Sequence, residues 1–369
     1  MGKIANLIVG AGLSGAVLAR QLAEKGQTVT VIDKRKHIAG NIYDKKFGGI
    51  TVHCYGPHVF HTNDEKVWDF LSRFTKWHLF MYHVKAFIDG QEVPVPFNLN
   101  SLHQVFGPSL AARLEEKLIR TFGFNVKVPI LKLRESKDED LSFLADYVYQ
   151  KVFLGYTVKQ WGVKPEELDP SVSGRVPVYI SRDDRYFQDK YQAIPQAGYT
   201  TLVSKILDHP NITVRLNTSF ESIKEQVSYE RLFYSGPVDE FFNYQLGELP
   251  YRSLNIVLRE YNRPYFQSGP QINYPNNYDF TRAVEYKYYL DEVSARTMVS
   301  FEYPCAFARG KNERYYPVPA QANQALFEKY MQQAASLPNV YFLGRLGDYK
   351  YYNMDQTVAR ALQLAEEVA

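Results

Sequence analysis

Cysteine is nearly absent. Cys54 and Cys305 stand far apart and outside any Cys-x-x-Cys spacing, which argues against a disulfide framework and a structural zinc site, so no metal is expected. No apolar run reaches the length of a membrane span. Met1 to Lys3 lead straight into an apolar stretch, without the charged start and small-residue cleavage site of a secretory leader, so the expected compartment is a reducing cytoplasm. Charge of one sign is lacking as well. A net +3 over 369 residues leaves no general electrostatic footprint for nucleic acid or anionic membrane, so any anionic ligand must be met by local groups. Repeats, low-complexity tracts and long linkers are missing too, which points to interleaved domains rather than beads on a string.

What is plentiful is tyrosine and phenylalanine, 29 and 23 residues in a chain that is 15% aromatic. A tyrosine offers a flat face for stacking and a hydroxyl for phosphate or sugar oxygens, although most are expected to pack sheets and hairpins.

Ile4 to Val9 is a continuous apolar run, as in a parallel strand buried on both faces. Ser14 to Lys25 carries apolar residues at helical spacing and is stopped by Gly26, and Thr28 to Ile32 reads as a second strand. Asp64 to Phe74 is helical in pattern. Trp77 to Phe97 reads as a hairpin turned at Asp89-Gly90, and Leu99 to Gly155 as mostly helical. A helix at Thr200 to Leu207 and strands at Ile212 to Leu216 and Arg231 to Tyr234 follow. Tyr251 to Tyr303 is rich in strand formers and reads as antiparallel. Val340 to Leu343 is a strand, Gly344-Arg345 a turn and Met354 to Val368 a closing helix. The expected fold class is α/β: a Rossmann-like dinucleotide-binding domain with a helical insertion and an antiparallel β-sheet domain. The expected division is 1–76, 196–240 and 335–369 for the cofactor, 98–172 for the helices, and 77–97, 173–195 and 241–334 for the substrate sheet.

The cofactor assignment rests on Gly10-Ala11-Gly12-Leu13-Ser14-Gly15, a GxGxxG turn placed between a strand and a helix. Gly10 permits the tight turn, Gly12 lets a pyrophosphate approach the backbone, and Gly15 lets helix and strand pack closely. Asp33 ends the second strand, eighteen residues after Gly15, where a carboxylate can bind ribose hydroxyls. To this point NAD and FAD fit equally. The following Lys34, Arg35 and His37-Ile38-Ala39-Gly40-Asn41 form a basic, glycine-containing extension typical of FAD-binding relatives of this fold.

Five further segments carry a resemblance: Tyr55-Gly56-Pro57-His58-Val59-Phe60-His61-Thr62, Gly155-Tyr156-Thr157-Val158-Lys159-Gln160-Trp161-Gly162, Arg175-Val176-Pro177-Val178, Tyr315-Tyr316-Pro317-Val318, and Gly344-Arg345-Leu346 through Tyr351-Tyr352-Asn353-Met354-Asp355. In this order, and over almost the whole chain, they resemble the UDP-galactopyranose mutases. The resemblance implies an isomerase interconverting UDP-galactopyranose and UDP-galactofuranose without net oxidation, with N5 of reduced FAD as nucleophile on the anomeric carbon. It also implies a homodimer serving cell wall or surface polysaccharide biosynthesis, with NAD(P)H or another reductant for the flavin.

The reaction expels a diphosphate, and fixed cations must meet its charge. Arg175 and Arg282 match the family's diphosphate-binding arginines, and Tyr186, Tyr316 and Tyr351 its diphosphate-reaching tyrosines. Phe153, Tyr156, Thr157, Trp161, Tyr186 and Phe187 correspond to the uridine pocket and its lid. Arg252, Asn273 and Asn353 complete the expected substrate set. His61 matches a histidine close to the flavin, and His58 precedes it. Leu13, Ser14, Gly40, Asn41, Gly344, Arg345, Tyr351 and Met354 join the glycine turn in the expected cofactor set, and Arg175, Arg282 and His61 are the expected catalytic residues. Three positions depart from the family pattern: Asn353 where many members have Asp, Tyr82 where some have a sugar-facing Asn, and Ala39 where a glycine is usual. A mutase for dTDP-fucopyranose or UDP-N-acetylgalactosamine is the near alternative. An amine-oxidase-like flavin oxidoreductase and a non-catalytic nucleotide-sugar sensor are more distant ones.

Overall fold

A computed structural model describes residues 3–168 and 177–368. The described residues fall into two compact units, Met1–Phe80 with Asp189–Tyr251 and Gln321–Ala369, and Met81–Gln188 with Arg252–Ala320. Among them no helix is long and apolar enough to cross a membrane, and no group of three or more His, Cys, Asp or Glu could hold a metal ion.

The first unit is built on strand β1 (Ile4–Val9), helix α1 (Leu13–Glu24) and strand β2 (Val29–Ile32). Five parallel strands form its main sheet, in the order Ile212–Arg215, β2, β1, Tyr229–Tyr234 and Val340–Phe342. Leu7, Ile32 and Leu232 are almost fully buried there. This explains why the sequence of β1 is uninterruptedly apolar: both faces of the strand are covered. Helix α1 packs against the closing helix Met354–Glu367 and against Tyr199–Leu207, and the C-terminal strand Val340–Phe342 lies in the same sheet as β1.

The hairpin expected over Trp77 to Phe97 is shorter in the structure. Val84–Ile88 and Gln91–Val95 form it, with Asp89 and Gly90 both at positive φ in the turn. Trp77–Leu79 instead pairs with Tyr191–Pro195, which also pairs with Phe60–Thr62. Aromatic packing explains the difference. The Trp77 ring stacks on Trp68 at 4.7 Å and Phe60 at 5.2 Å, and its indole N–H donates to Ser72 Oγ at 2.8 Å.

The second unit carries a seven-stranded sheet in the order Tyr316–Pro317, Tyr251–Tyr261, Thr297–Ala306, Arg282–Glu285, Gln271–Asn273, Val84–Ile88 and Gln91–Val95. Pairing is antiparallel from Tyr251–Tyr261 through Gln271–Asn273 and in the hairpin, whereas Gln271–Asn273 runs parallel to Val84–Ala86. Leu99–Val105, Pro108–Phe122, Ile130–Leu133 and Glu139–Val148 supply the helical insertion. After Val148 the chain widens into a π-helical turn, Tyr149–Leu154, and tightens again into Gly155–Trp161. Such widened turns are rare and frequent at functional sites. The fold class read from the sequence is the one observed: a Rossmann-like nucleotide-binding sheet with a helical insertion and a largely antiparallel sheet.

Candidate functional site

The expected site residues fall into two sets, one on each unit. In the first unit the glycine turn is held by contacts that no side chain would allow. Gly10 has φ +110°, and a Cβ there would meet Ser235 Oγ at 2.1 Å. At Gly15 a Cβ would meet the Gly10 carbonyl at 2.0 Å, the close helix–strand approach expected of the third glycine. Gly12 caps α1 with no side-chain hydrogen bond, and its nearest neighbour is Gly40 Cα, 3.7 Å from a hypothetical Cβ. Leu13 and Ser14 begin the helix, and a Cβ on Gly344 (φ +80°) would meet Ser14 Oγ at 2.7 Å. The C-terminal segment therefore sits against the start of α1. Gly344-Arg345, expected as a turn, opens a short helical turn, Gly344–Gly347.

Asp33, 8% exposed, accepts the Ala11 N–H at Oδ2 and the Arg35 N–H at Oδ1, both at 2.8 Å. Each carboxylate oxygen keeps a lone pair for a further donor. Arg35 Nη1 donates to Asn41 Oδ1 at 3.0 Å, and the guanidinium lies 4.5 Å over the Tyr55 ring. Lys34 is exposed. Ala39 adopts the left-handed conformation, φ 72°, that explains why a glycine is usual at this position.

His61 Nδ1 is 2.8 Å from Asp189 Oδ2, and Asn63 Nδ2 donates to Asp189 Oδ1 at 2.6 Å. The carboxylate fixes the ring, with Nδ1 as the donor. His58 is anchored through its backbone, its N–H donating to His53 Nδ1 at 3.0 Å and its carbonyl accepting from the Tyr199 hydroxyl at 3.2 Å. Arg345 donates to the Tyr352 carbonyl at 2.7 Å and lies 5.2 Å over the Tyr351 ring. Asn353 is the N-cap of the closing helix, whose first residue is Met354.

In the second unit one pocket gathers Phe153, Tyr156, Thr157, Trp161, Tyr186 and Asn273, six residues expected from the sequence, with Val95, Val152, Pro165 and Leu168. The π turn and the helix after it set Phe153, Tyr156, Thr157 and Trp161 around this space. The Tyr316 ring is 6.0 Å from Trp161. Phe187 does not line the pocket; it packs edge-on against Tyr186 at 4.9 Å. Asn273 pairs with Arg282 across adjacent strands, and its Oδ1 accepts from Gln271 Nε2 at 2.8 Å. Gln271 Oε1 in turn accepts from the Tyr82 hydroxyl at 2.6 Å, so the substituted Tyr82 is buried in a hydrogen-bond chain, and burial raises its pKa.

Arg282 donates from Nε to Glu302 Oε2 at 2.6 Å. Glu302 is fully buried, and its Oε1 has no hydrogen-bond partner among the described residues. Burial disfavours the guanidinium charge, but the carboxylate, with the Tyr156 and Tyr316 hydroxyls, outweighs it and raises the Arg282 pKa. Arg252 is turned elsewhere: Nε donates to the Gln160 carbonyl at 2.8 Å and Nη2 to the Lys159 carbonyl at 2.9 Å, at the end of the pocket helix. Arg175 lies outside the described residues.

Glu302 and Asp189 are functional candidates that sequence reasoning missed. A lone carboxylate in the apolar run Thr297 to Tyr303 was a signal for the first. Asp189 had none, because its partner is 128 residues away.

These features define a nucleotide-binding enzyme of the Rossmann class with an aromatic-lined pocket in its second unit, beside an Arg282 held by the buried Glu302. The family model described as UDP-galactopyranose mutase matches residues 151–351, and that described as an NAD(P)-binding Rossmann-like domain matches residues 8–74. The chain is 40% identical to a probable UDP-galactopyranose mutase of Klebsiella pneumoniae over 366 residues, 98% of this chain and 94% of that protein. It is 35% identical to a dTDP-fucopyranose mutase of Escherichia coli, covering 98% and 97%. A crystal structure of a reduced UDP-galactopyranose mutase shares the fold, with a TM-score of 0.76 at 17% identity over 100% of this chain and 94% of that one. The chain belongs to the UDP-galactopyranose mutase family and is an enzyme of the isomerase kind.

Proposed function

We propose that the protein interconverts UDP-galactopyranose and UDP-galactofuranose, using FAD in its reduced state. The carrying observation is the Arg282–Glu302 pair beside Tyr156 and Tyr316, near a pocket lined by Trp161 and Phe153. A largely covered, permanently charged guanidinium flanked by phenols suits a diphosphate leaving group. Its five N–H donors leave several for phosphate oxygens after the bond to Glu302.

The first unit fits FAD. Gly10, Gly12 and Gly15 keep the start of α1 clear of side chains, whose first N–H groups suit a pyrophosphate, and Asp33 suits ribose hydroxyls. Arg35, Gly40, Asn41, Gly344, Arg345, Tyr351 and Met354 complete the holding set. When bound and reduced, the flavin supplies a nucleophilic N5 for the anomeric carbon. The chain's own residues do the rest. Phe153, Tyr156, Trp161 and Thr157 hold the uracil by stacking and hydrogen bonding, while Arg282, with Arg175, Tyr186, Tyr316 and Tyr351, takes up the charge of the departing UDP. Glu302 orients the Arg282 guanidinium through its Nε, and Asp189 orients His61.

We further propose the three-part domain division, a homodimer, a cytoplasmic location, NAD(P)H as a reductant, and a role in surface polysaccharide synthesis. The likeness to the dTDP-fucopyranose mutase, together with Asn353 and Tyr82, supports a second reading in which the sugar nucleotide differs but the reaction does not. Dithionite-reduced protein is expected to convert UDP-galactofuranose to the pyranose without consuming stoichiometric reductant. Turnover by oxidised flavin, or one reducing equivalent spent per product, would remove the mutase reading, and a panel of sugar nucleotides separates the two substrates.

A further inference from the structure

One half-buried cation of the second unit has no part in the chemistry above. Lys159 lies on the pocket helix Gly155–Trp161, two residues from Thr157 and Trp161. Its ammonium donates to three backbone carbonyls of a single turn, those of Tyr274, of Tyr278 at 3.1 Å and of Phe280 at 3.1 Å. The three N–H groups of the ammonium match the three acceptors one for one.

That turn joins the strands Gln271–Asn273 and Arg282–Glu285. Asn273 and Arg282 are register partners at its base, and the Tyr274 N–H donates to the Thr281 carbonyl at 2.7 Å. Two more contacts fasten it to the same stretch of helix. Asn276 Nδ2 donates to the Lys151 carbonyl at 2.8 Å, and a Cβ on Gly155 would meet the Pro275 carbonyl at 2.3 Å. The turn thus ties the helix that bears Tyr156, Thr157 and Trp161 to the strand that bears Arg282.

We propose that Lys159 is a positioning residue, whose ammonium sets the distance between the nucleotide-base pocket and the diphosphate cation Arg282. This rests on the nucleotide reading above. Stacking fixes the base, so a turn released from the helix leaves Arg282 displaced from the phosphate that must meet it, and such offsets are costly well below 1 Å of tolerance.

The clamp is sensitive to protonation. Burial lowers the Lys159 pKa to about 8, with Asp279 on the turn opposing the fall. Among the described residues, the packed elements also carry Tyr149, Lys151, Tyr156, Arg252, Tyr274, Tyr278, Arg282, Glu302, Tyr303 and Cys305; the Tyr274 phenol is pushed up to about 12 by burial. A neutral amine has two N–H groups and turns a lone pair toward the third carbonyl. Binding that depends on the clamp therefore weakens as pH rises through about 8.

The test is UDP affinity of the flavin-loaded enzyme, measured by calorimetry from about pH 7 to 9.5, for the wild type, Lys159→Met and Lys159→Arg. The wild type is expected to lose about tenfold over this range. Lys159→Met is expected to sit at the weak alkaline level throughout, and Lys159→Arg, which stays charged, to hold the neutral-pH affinity. Wild-type affinity and pH profile in Lys159→Met would overturn the proposal, as would a flat profile in the wild type itself, which needs no variant to fold. Failure of the wild type to bind UDP at any pH would instead remove the nucleotide reading on which the proposal rests.

Discussion

Glu302 sits beneath Arg282, with Oε2 accepting from Nε at 2.6 Å in a strand register that places the two residues directly opposite one another. A buried ion pair of this kind adds little net stability, because desolvation offsets much of the attraction. Its value lies in holding one guanidinium, charged and oriented, next to Tyr156 and Tyr316. Arg282→Ala is expected to lower kcat by about 10² to 10³ with flavin retained, the range for removing one donor that stabilises developing charge. Glu302→Gln keeps the shape and removes the charge, and is expected to lose about tenfold or more in kcat. Steady-state kinetics on flavin-loaded variants check both; near-normal rates in both would place diphosphate binding elsewhere.

The glycine turn makes a prediction about loading rather than rate. Gly15→Ala puts a Cβ 2.0 Å from the Gly10 carbonyl, a separation that forces α1 away from β1. The purified variant is expected to carry little flavin, read as the ratio of visible to 280 nm absorbance. Asp33→Ala is expected to load poorly as well, because it also removes the acceptor of the Ala11 and Arg35 N–H groups.

Ala39 is strained at φ 72°, and a left-handed non-glycine residue costs on the order of 1 kcal/mol. Ala39→Gly relieves that strain but loosens the unfolded chain by about 0.4–1 kcal/mol, so the net gain is expected to be no more than about 0.5 kcal/mol. A thermal or urea melt of the flavin-free protein measures it, and a loss of stability would show that the conformation is not a strained one.

The sequence made the Rossmann half legible because its rules are local. The glycines, the apolar run of β1 and Asp33 lie within one βαβ unit, and each has a fixed geometric duty. Six pocket residues were legible for another reason, the resemblance of the Gly155 to Gly162 segment and its neighbours to a family. Long-range pairings were not. Trp77–Leu79 carries the alternation of a hairpin, and only its stacking on Trp68 and Phe60 assigns it to another sheet. Asp189 and Glu302 became visible only when folding set them beside His61 and Arg282. Pattern reasoning sees neighbours along the chain, and these partners are neighbours across it.

Trp161 lines the pocket beside Phe153 and Tyr156, where a base would stack. Loss of one stacking partner is worth about 1–3 kcal/mol, or roughly 5- to 150-fold in affinity. Trp161→Ala is expected to weaken UDP binding within that range, and Trp161→Phe to recover part of it. Calorimetry with UDP reads the change, and unaltered affinity in Trp161→Ala would show that the base is held elsewhere.

Arg252 separates a structural duty from a substrate contact. Its guanidinium donates to the carbonyls of Lys159 and Gln160, the acceptors left open where the pocket helix ends at Gly162 in the left-handed conformation. Arg252→Met retains much of the packing volume and leaves those carbonyls without their donors, which costs about 1–3 kcal/mol when they are buried. If capping is the role, the ligand-free variant melts at a lower temperature and UDP binding weakens only as far as the helix end frays. A substrate contact predicts the opposite pattern, an unchanged melt with a direct loss of affinity. Melting curves with and without UDP distinguish the two, because a ligand that binds the folded state alone adds the same increment to both proteins unless its affinity has changed.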